Sequence, residues 1–253
     1  MAATSRLRRG LAQHPVWNTV GALAAVAAIL LGVFMWFVPN YQSITGTGPS
    51  SGCQSGFSDE FDGDRDGRWI WVDYQGTATL GPSGHGTLRM TAPNGSDLLP
   101  KSTTAPRLLQ SVAGDFTVET HVYAAPSAGY QGAGLLLWQD GNDYVRLELG
   151  YGGFRGIELS TATDGAYAHL VDAWTNGSKS IPTWSDDVYL KLRRTGDHVT
   201  AWWRDSTTGA GWQYVGDKLI HLDPDVQVGV DVVSVSREPS ATAEFDYFHF
   251  ACI

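Results

Sequence analysis

Apolar and polar side chains alternate along several segments of the C-terminal part of the chain. The period of two runs through residues 116–123 (FTVETHVY) and recurs in residues 145–149 and 188–193. Successive side chains of a strand point to opposite faces, so this pattern predicts half-buried antiparallel strands. Turn sequences such as DGND at 140–143 and TGD at 195–197 separate the apolar stretches. The pattern therefore predicts an all-β fold of short strands joined by tight turns.

A longer apolar pattern of a different kind lies near the N-terminus. Residues 17–38 contain no charged side chain, and a helix of that length, rising about 1.5 Å per residue, spans a hydrocarbon core of about 30 Å. We predict a single transmembrane helix here. Arg6, Arg8 and Arg9 precede it without any acidic residue, so the positive-inside rule makes residues 1–16 a basic cytoplasmic tail and leaves the C-terminal part outside the cell membrane. The alternative is a cleaved signal peptide, although the run is long for one and no A-x-A-like site follows it.

The segment after the apolar run has no hydrophobic period. Residues 39–56 are rich in Gly, Ser, Thr and Pro, and such a composition predicts a flexible extracellular tether. We place the folded β domain at residues 57–253. The chain contains 30 glycines, 10 tryptophans and only 17% charged residues, which favours aromatic strands and tight turns over long salt-bridged helices.

The charge of the chain limits its partners. The formal net charge is -9, and the basic residues beyond the N-terminus are scattered. Binding to the phosphates of a nucleic acid needs clustered Lys and Arg. We therefore expect no nucleic-acid partner.

The two cysteines stand at the ends of the predicted domain. Cys53 precedes the first expected strand and Cys252 is the penultimate residue. The first and last strands of a sandwich are often neighbours, and a disulfide persists outside the cytoplasm. We expect a Cys53–Cys252 disulfide, and closing so long a loop stabilises a fold by up to about 5 kcal/mol. Two free thiols are the alternative.

Several segments of the β domain carry a family resemblance. They are Phe57–Phe61 (FSDEF) with Trp69 and Trp71, Leu108–Gln110, Gly114–Glu119, Gly132–Trp138, Asn142–Glu148, Tyr189–Arg194 and Phe245–Phe248. Over roughly residues 57–250 the chain resembles the concanavalin A-like domains of unknown function that are similar to the C-terminal domain of β-xylosidases and to the yeast regulator-of-enolase family. The resemblance implies a two-sheet jelly-roll sandwich with a concave face. It implies function only weakly, because one fold hosts many chemistries.

Polar and aromatic side chains at the wet positions of the predicted strands form the candidate site. If the sheet curves as the resemblance implies, several of these side chains line one groove, and they are Glu119, His121, Tyr123, Trp138, Arg146, Glu148, Lys191, Arg193 and Trp202. Aromatic rings stack on the C–H faces of sugars, while carboxylate and guanidinium groups bond to the hydroxyls. We therefore predict a glycan-binding face. The alternative for the charged residues is that they are solvated strand positions making cross-strand ion pairs.

Catalysis is the less favoured interpretation of the same residues. Glycoside hydrolysis needs two carboxyls on either side of one bond, and Glu119 and Glu148 are the candidates. The E-x-D-x-x-E strand motif of jelly-roll glucanases is absent from the sequence, as is the G-x-S-x-G elbow of serine hydrolases. The glycine-rich segment 150–156 lacks the spacing of a phosphate-binding loop and indicates a turn.

Two sets of aspartates are candidate ligands of a structural Ca²⁺ ion. The spacing D-x-D-x-D-G-x5-D, which is close to that of a calcium loop, is formed by Asp62, Asp64, Asp66 and Asp73. An ordinary loop after the first strand is the alternative. The second set is Asp59 with Asp246, which would meet if the first and last strands are neighbours.

These patterns together predict a membrane-anchored extracytoplasmic module that binds glycan or a cell-surface polysaccharide without catalysis. The first alternative is a protein-interaction or sensor subunit, in which the membrane helix and the basic tail couple to partners. The second is a glycoside hydrolase with unrecognised acids. A groove with exposed aromatic side chains would favour glycan binding, a flat apolar patch would favour a protein partner, and paired carboxyls at hydrolytic spacing would favour the enzyme.

Overall fold

The computed structural model describes residues 53, 56–152, 154–170, 181–235 and 239–253. All of these residues lie in the compact unit Pro49–Ile253. The predicted cytoplasmic tail, the transmembrane helix at 17–38 and most of the predicted tether lie outside the described residues. Within the described ranges, no helix is long and apolar enough to cross a membrane.

Every regular element in the described part of the chain is a β-strand. In chain order the strands are β1 (Ile70–Val72), β2 (Thr79–Pro82), β3 (Leu88–Ala92), β4 (Leu98–Leu99), β5 (Ser102–Thr103), β6 (Arg107–Ala113), β7 (Phe116–Ala124), β8 (Gln131–Trp138), β9 (Tyr144–Tyr151), β10 (Arg155–Thr163), β11 (Ala166–His169), β12 (Ile181–Pro182), β13 (Asp187–Thr195), β14 (His198–Asp205), β15 (Gln213–Leu219), β16 (Asp225–Ser234) and β17 (Ala241–Cys252). The segments with a period of two fall in β7, β9 and β13. The predicted all-β class is confirmed.

Two large antiparallel sheets form a sandwich. Sheet A has the strand order β1-β6-β16-β8-β9-β10-β11, with β12 paired to β10, and sheet B has the order β15-β14-β13-β7-β17-β3-β2. Strands β4 and β5 form a separate hairpin. Several neighbours are distant in sequence, as in the pairing of β16 with β6 and β8. The predicted two-sheet architecture is confirmed.

The main hydrophobic core lies between the two sheets. Leu135 and Leu147 of sheet A and Val118 and Leu190 of sheet B are fully buried in it. The residues that alternate with these positions along each strand point away from the core. Each sheet therefore has an inner face in the core and an outer face that carries the polar positions.

The outer face of sheet A is covered by a second apolar cluster. Leu98 of the β4–β5 hairpin packs there with Leu136, Tyr144 and Val233. As a result, nearly the whole of strands β8 and β9 is buried. The strand predicted at residues 145–149 is confirmed, but its predicted half-burial is wrong. The alternation is present, but both faces of the strand are covered.

The ends of the domain are joined as predicted. Cys53 and Cys252 form a disulfide with their Cα atoms 5.7 Å apart. Nearby, the backbone of Asp59 pairs with that of Phe248 in β17 through N···O distances of 2.9 and 2.8 Å. The segment before β1 is thus held against the last strand, and the predicted disulfide is confirmed.

Candidate binding pocket on sheet A

The predicted groove residues lie on opposite faces of the sandwich. The outer face of sheet B carries Glu119, His121, Tyr123, Lys191, Arg193 and Trp202, because the residues that alternate with them form the core. The outer face of sheet A carries Trp138, Arg146 and Glu148. Glu119 and Glu148 are therefore separated by the thickness of the sandwich and do not flank a common bond. These residues form two surfaces instead of one groove.

The charged residues on sheet B contact each other. Lys191 Nζ lies 3.1 Å from Glu119 Oε2 and 3.6 Å from the ring centre of Trp212. The Tyr247 hydroxyl donates a hydrogen bond to Glu119 Oε1 at 2.8 Å. An open depression of roughly 320 Å³ on this face is lined by Lys191, Trp202 and Trp212, among others. The contacts match the alternative in which polar strand positions form cross-strand ion pairs.

The imidazole of His121 is enclosed on the same face. It stacks on Tyr189 with ring centres 4.0 Å apart. Its Nε2 atom hydrogen-bonds to Asp187, and its Nδ1 atom lies 3.2 Å from Asp246. The Tyr123 hydroxyl lies 3.3 Å from the same Nδ1 atom. These side chains are therefore engaged with their neighbours in a local network.

A more enclosed pocket lies on the outer face of sheet A. We name it the sheet A pocket, and its volume is roughly 340 Å³. Strands β8, β9, β10 and β11 contribute to its lining. The lining side chains that define its chemistry are Tyr130, Arg146, Glu148, Tyr151, Glu158 and Tyr167. Tyrosines and acidic residues therefore line one space.

Arg146 and Glu148 form a buried ion pair in this pocket. The Arg146 Nε and Nη2 groups both donate to Glu148 Oε2, the first at 3.0 Å. The Nη1 group donates to the Leu98 carbonyl at 2.9 Å, so the β4–β5 hairpin fixes the guanidinium. Glu148 is 1% exposed, and its Oε1 atom has no hydrogen-bond partner in the described part of the chain. A Cβ atom on Gly132 would lie 3.0 Å from Oε1, so the glycine leaves room beside this oxygen.

Glu158 faces Glu148 from the neighbouring strand. The two residues are directly opposite in the register of β9 and β10. Burial and then the charge of Glu148 raise the pKa of Glu158 to about 7, while Arg146 acts in the opposite sense. A Cβ atom on Gly152 would lie 2.9 Å from Glu158 Oε1, so here too a glycine leaves room. Glu148 is thus paired with a guanidinium, whereas Glu158 holds a proton up to near-neutral pH.

Asp231 adds a further buried carboxyl to this face of the sheet. It is opposite Gly134 of β8, which is itself opposite Glu148 of β9. Neither of its carboxyl oxygens has a hydrogen-bond partner among the residues that the structure describes. Burial raises the pKa of Asp231 well above its ordinary value, with Glu148 adding to the effect and Arg146 and Arg107 opposing it. Asp231 therefore favours its neutral form.

Trp138 is enclosed by its neighbours. It is 7% exposed, and its ring stacks on Tyr144 with ring centres 5.5 Å apart. The Arg107 guanidinium lies 4.3 Å from the Trp138 ring centre. The second apolar cluster therefore covers the ring, which differs from the solvent-facing position that the strand pattern suggested.

Tyr130 lines the pocket with an unusual backbone conformation. Its side chain is 73% exposed and its φ angle is 60°. Bulky residues rarely adopt this left-handed region, and residues that do so cluster at ligand sites. The Tyr130 N–H donates to the Tyr151 carbonyl at 2.7 Å, and the Val235 N–H donates to the Tyr130 carbonyl at 3.1 Å. Backbone hydrogen bonds therefore hold the strained residue in place.

The aspartates of the predicted calcium loop differ in their surroundings. Asp66 pairs with Arg68 at 2.6 Å, and Asp73 accepts backbone N–H groups of its own turn at 2.9 Å. Asp62 and Asp64 are exposed. Across the described ranges, no group of three or more His, Cys, Asp or Glu side chains is placed to hold a metal ion.

Asp59 and Asp246 also have protein partners. Asp59 Oδ2 accepts the indole N–H of buried Trp69 at 2.8 Å, and its Oδ1 atom accepts the N–H of Phe61 at 2.9 Å. Asp246 faces His121 on the outer side of sheet B. The two carboxylates therefore stabilise different local structures.

Sequence reasoning does not find Glu158, Asp231 or Tyr130. The sequence feature that could have pointed to Glu158 is its position between the apolar residues Ile157 and Leu159, just beyond the glycine-rich segment 150–156. We interpret that segment from the sequence only as a turn. In the structure its glycines Gly150 and Gly152 leave the space that the Glu158 carboxyl fills.

Solved structures with a similar fold include glycoside hydrolases. The GH43 protein BlXynB from Bacillus licheniformis aligns with a TM-score of 0.62 at 18% identity, covering 78% of this chain and 39% of that one. The xylan beta-1,4-xylosidase from Bacillus halodurans gives 0.60 at 21% identity, with the same 78% and 39% covered. A functionally unknown protein from Saccharomyces cerevisiae gives 0.56 at 11% identity, covering 74% of this chain and 97% of its own. This chain spans well under half of the two Bacillus proteins, and at these identities the likeness establishes the fold alone.

The family assignment rests on the sequence of the β domain. No match was found among curated proteins. The predicted similarity to a β-xylosidase and to a yeast protein is confirmed by the solved structures. The family described as protein of unknown function (DUF1349) matches residues 83–252, which is most of the sandwich. The chain therefore belongs to the DUF1349 family.

Proposed function

We propose that this chain is a carbohydrate-binding protein of the concanavalin A-like jelly-roll class, which binds a short stretch of glycan in the sheet A pocket. The observation that carries the proposal is the meeting of aromatic rings and buried carboxyls around one enclosed space. Its volume of roughly 340 Å³ lies within the range of about 300–1,000 Å³ that small-molecule sites occupy.

The lining of the pocket suits the two kinds of surface that a sugar presents. Tyr130, Tyr151 and Tyr167 line the pocket, and the faces of aromatic rings stack on the C–H faces of sugar rings. Glu148 and Glu158 offer carboxyl oxygens that accept hydrogen bonds from hydroxyls. A buried acceptor without a partner costs about 1–3 kcal/mol. Glu148 Oε1 is such an acceptor, and because it is buried, a sugar hydroxyl reaches it only if the carboxyl turns toward the pocket.

The comparisons support a link with glycans. One similar structure is a xylan beta-1,4-xylosidase and another is a GH43 protein, and in each the alignment covers 39% of the chain. A sandwich that forms part of an enzyme acting on a polysaccharide is suited to hold a glycan. The catalytic activity of those proteins is not carried over by this likeness.

We further propose that residues 17–38 anchor the β domain at the outer surface of the cell membrane, with residues 1–16 in the cytoplasm. The uncharged apolar run and the arginines before it support this topology. The Cys53–Cys252 disulfide supports a place outside the cytoplasm, since disulfides persist in oxidising compartments.

A protein-interaction or sensor function is the second candidate, and one end of sheet B favours it. Strand β15 stands at the end of the sheet B strand order. Its residues Tyr214 and Leu219 are exposed large hydrophobic side chains. An edge strand with exposed apolar side chains can accept a strand from a partner protein.

A glycan array probed with the full chain in detergent micelles tests the leading proposal. We expect saturable binding to at least one class of neutral oligosaccharide, displaced by the same oligosaccharide in free form. Displacement separates binding in a pocket from adhesion of the micelle. If the folded chain binds no oligosaccharide or polysaccharide on the array, the proposal of glycan binding is overturned.

A further inference from the structure

We propose that the sheet A pocket recognises a protonated amino sugar, because more carboxyls than Arg and Lys side chains line it. The inference rests on the proposed glycan binding and deepens it by naming the class of sugar. An amino sugar keeps the ring of a neutral sugar and replaces one hydroxyl with an ammonium group. The neutral part of the glycan therefore binds as proposed above, and the ammonium adds affinity.

The balance of charge in the lining favours a cation. Three carboxyl side chains line the pocket, and they belong to Asp97, Glu148 and Glu158. Arg146 is the sole Arg or Lys among the described lining residues. It donates to Glu148 through Nε and Nη2 and to the Leu98 carbonyl through Nη1. Because Glu148 matches the charge of Arg146, the carboxyls of Asp97 and Glu158 are the ones that remain to pair with a cationic ligand.

The carboxyl of Glu158 lies within reach of a ligand in this space. Its Oε1 atom is 2.9 Å from the position that a Cβ atom on Gly152 would take, and Gly152 itself lines the pocket. Glu158 is half-buried. In the described part of the chain, the carboxyl oxygens that are enclosed without a partner belong to Glu148 and Asp231, not to Glu158. An ammonium in the pocket can therefore approach Glu158 without a rearrangement of the sheet.

The protonation of the two unmatched carboxyls agrees with this shortage of cations. Burial and then the charge of Glu148 raise the pKa of Glu158 to about 7, against the effect of Arg146. Burial also raises the pKa of Asp97, against the Leu98 N–H and Arg146. A nearby opposite charge favours the ionised form of a carboxyl. An ammonium bound beside Glu158 should therefore displace the proton from it.

The tyrosines of the lining suit both parts of such a ligand. Tyr130, Tyr151 and Tyr167 line the pocket together with the carboxyls. Aromatic rings attract cations placed over their faces and also stack on the C–H faces of sugars. A uronate, in contrast, would bring a further negative charge next to the carboxyls, and like charges in a partly dry site repel. The same lining thus favours an amino sugar and disfavours an acidic one.

Isothermal titration calorimetry with three β-1,4-linked oligosaccharides of equal length tests the preference. They are oligomers of glucosamine, N-acetylglucosamine and glucose, which differ only in the group on carbon 2. Each is titrated into the full chain in detergent at pH 6, where the sugar amine is protonated. We expect the Kd of the glucosamine oligomer to be about tenfold lower than that of the other two, as for a hydrogen bond to a charged group. Equal or weaker binding of the glucosamine oligomer overturns the inference.

Proton release gives a second readout that needs no variant. At pH 6 Glu158 is mostly protonated, so an ammonium that pairs with it should expel a proton into the buffer. Repeating the titration in buffers of different ionisation enthalpy measures this release. Asp97, Arg146, Glu148 and His169 also line the pocket, so the N-acetylglucosamine oligomer, which meets the same groups without a charge, provides the baseline. A release no larger than this baseline overturns the pairing with Glu158.

The Glu158→Gln variant should lose the preference for the amine, because an amide carries no charge. The Kd of the glucosamine oligomer should rise to near that of the glucose oligomer, and the extra proton release should disappear. The matched control is Glu119→Gln, which removes one negative charge from the opposite face of the sandwich and should keep both effects. An equal loss in the two variants would show that the net charge of the chain attracts the amine, and would overturn the inference.

The remaining outcomes separate the class of sugar from glycan binding itself. Spermidine, which has ammonium groups and no sugar ring, should bind more weakly than the glucosamine oligomer. If it binds as tightly, the pocket recognises amines in general and the assignment to an amino sugar is overturned. Neutral glycans that bind without any gain from an amine overturn the inference and leave the proposed function in place. Failure of every glycan to bind overturns the proposed function, and the inference with it.

Discussion

At the scale of single residues, the proton on Glu158 is linked to folding. Its pKa rises from an ordinary 4.5 to about 7 on burial beside Glu148. Between these values the folded chain binds more protons than the unfolded chain, so the free energy of unfolding falls as the pH rises through that window. The loss amounts to up to about 3 kcal/mol, at about 1.36 kcal/mol per pKa unit.

The Glu158→Gln variant should lose this pH dependence, because glutamine resembles the protonated acid at every pH. Urea unfolding of both proteins between pH 4.5 and 8 measures the difference. We expect the two stabilities to be similar at the acidic end and the wild type to be less stable at the alkaline end. Parallel curves for the two proteins would contradict the assignment of a raised pKa to Glu158.

The buried pair of Arg146 and Glu148 leads to a prediction of its own. Arg146→Met leaves the Glu148 charge buried without a partner, and breaking such a pair costs about 3–5 kcal/mol. Arg146→Met combined with Glu148→Leu removes both charges and should cost much less, since apolar side chains of similar volume often replace buried ion pairs without loss. Urea unfolding of the single and double variants is the measurement. A double variant less stable than Arg146→Met alone would contradict the interpretation that the cost comes from an unpaired buried charge on Glu148.

The sequence predicts on which face of a strand a residue lies better than it predicts how deeply the residue is buried or which residues it contacts. The alternation around Arg146 and Glu148 places them on one face of a strand, and that is where they lie. Their burial depends on Leu98 and the hairpin that covers the face, and the hairpin is distant in sequence. The partnership of Glu148 with Glu158 depends on a strand register, which no local pattern specifies.

At the scale of the elements, the disulfide joins the segment before β1 to the last strand. The bridge spans a sequence separation of 199 residues, and in the chain-entropy model closing so long a loop stabilises the fold by up to about 5 kcal/mol. We expect reduction with dithiothreitol to lower the urea midpoint of unfolding. The double variant Cys53→Ser and Cys252→Ser should match the reduced wild type and should not respond to the reductant. A wild type whose midpoint is the same before and after reduction would contradict this role.

The strands themselves follow from the sequence better than their order does. The period of two at 116–123, 145–149 and 188–193 falls inside β7, β9 and β13. The placement of β16 between β6 and β8 brings together segments far apart in the chain. The resemblance to known sandwiches implies two sheets, whereas alternation alone does not say which sheet a strand joins. That is why Glu119 and Glu148 could be taken from the sequence as neighbours although they lie on opposite faces.

At the scale of the whole molecule, the proposed anchor determines where the β domain acts. The full chain should remain in the membrane fraction after washing with alkaline carbonate and should be released by detergent. A chain that lacks residues 1–38 should appear in the soluble fraction, because it lacks the charge-free run that we propose as the membrane anchor. Release of the full chain by carbonate alone would contradict the anchor.

The two outer faces of the sandwich have different chemistry, and we propose that the glycan binds on sheet A. Sheet B carries charges that already contact each other, such as Lys191 and Glu119. Sheet A carries an enclosed pocket with a buried oxygen of Glu148 that has no hydrogen-bond partner in the described part of the chain. One aromatic residue on each face, exposed Tyr130 at the pocket and half-buried Trp202 on sheet B, allows the faces to be tested separately.

Isothermal titration calorimetry, with one oligosaccharide titrated into the wild type, Tyr130→Ala and Trp202→Ala, tests most directly whether the glycan binds on sheet A. Because the Tyr130 side chain is 73% exposed, its removal should leave the fold intact. Loss of its stacking on the sugar should raise the Kd about tenfold, which corresponds to a loss of about 1.4 kcal/mol of binding free energy. Trp202→Ala should bind as the wild type does. A loss of affinity in Trp202→Ala with Tyr130→Ala unchanged would contradict the account and assign the glycan to the opposite face.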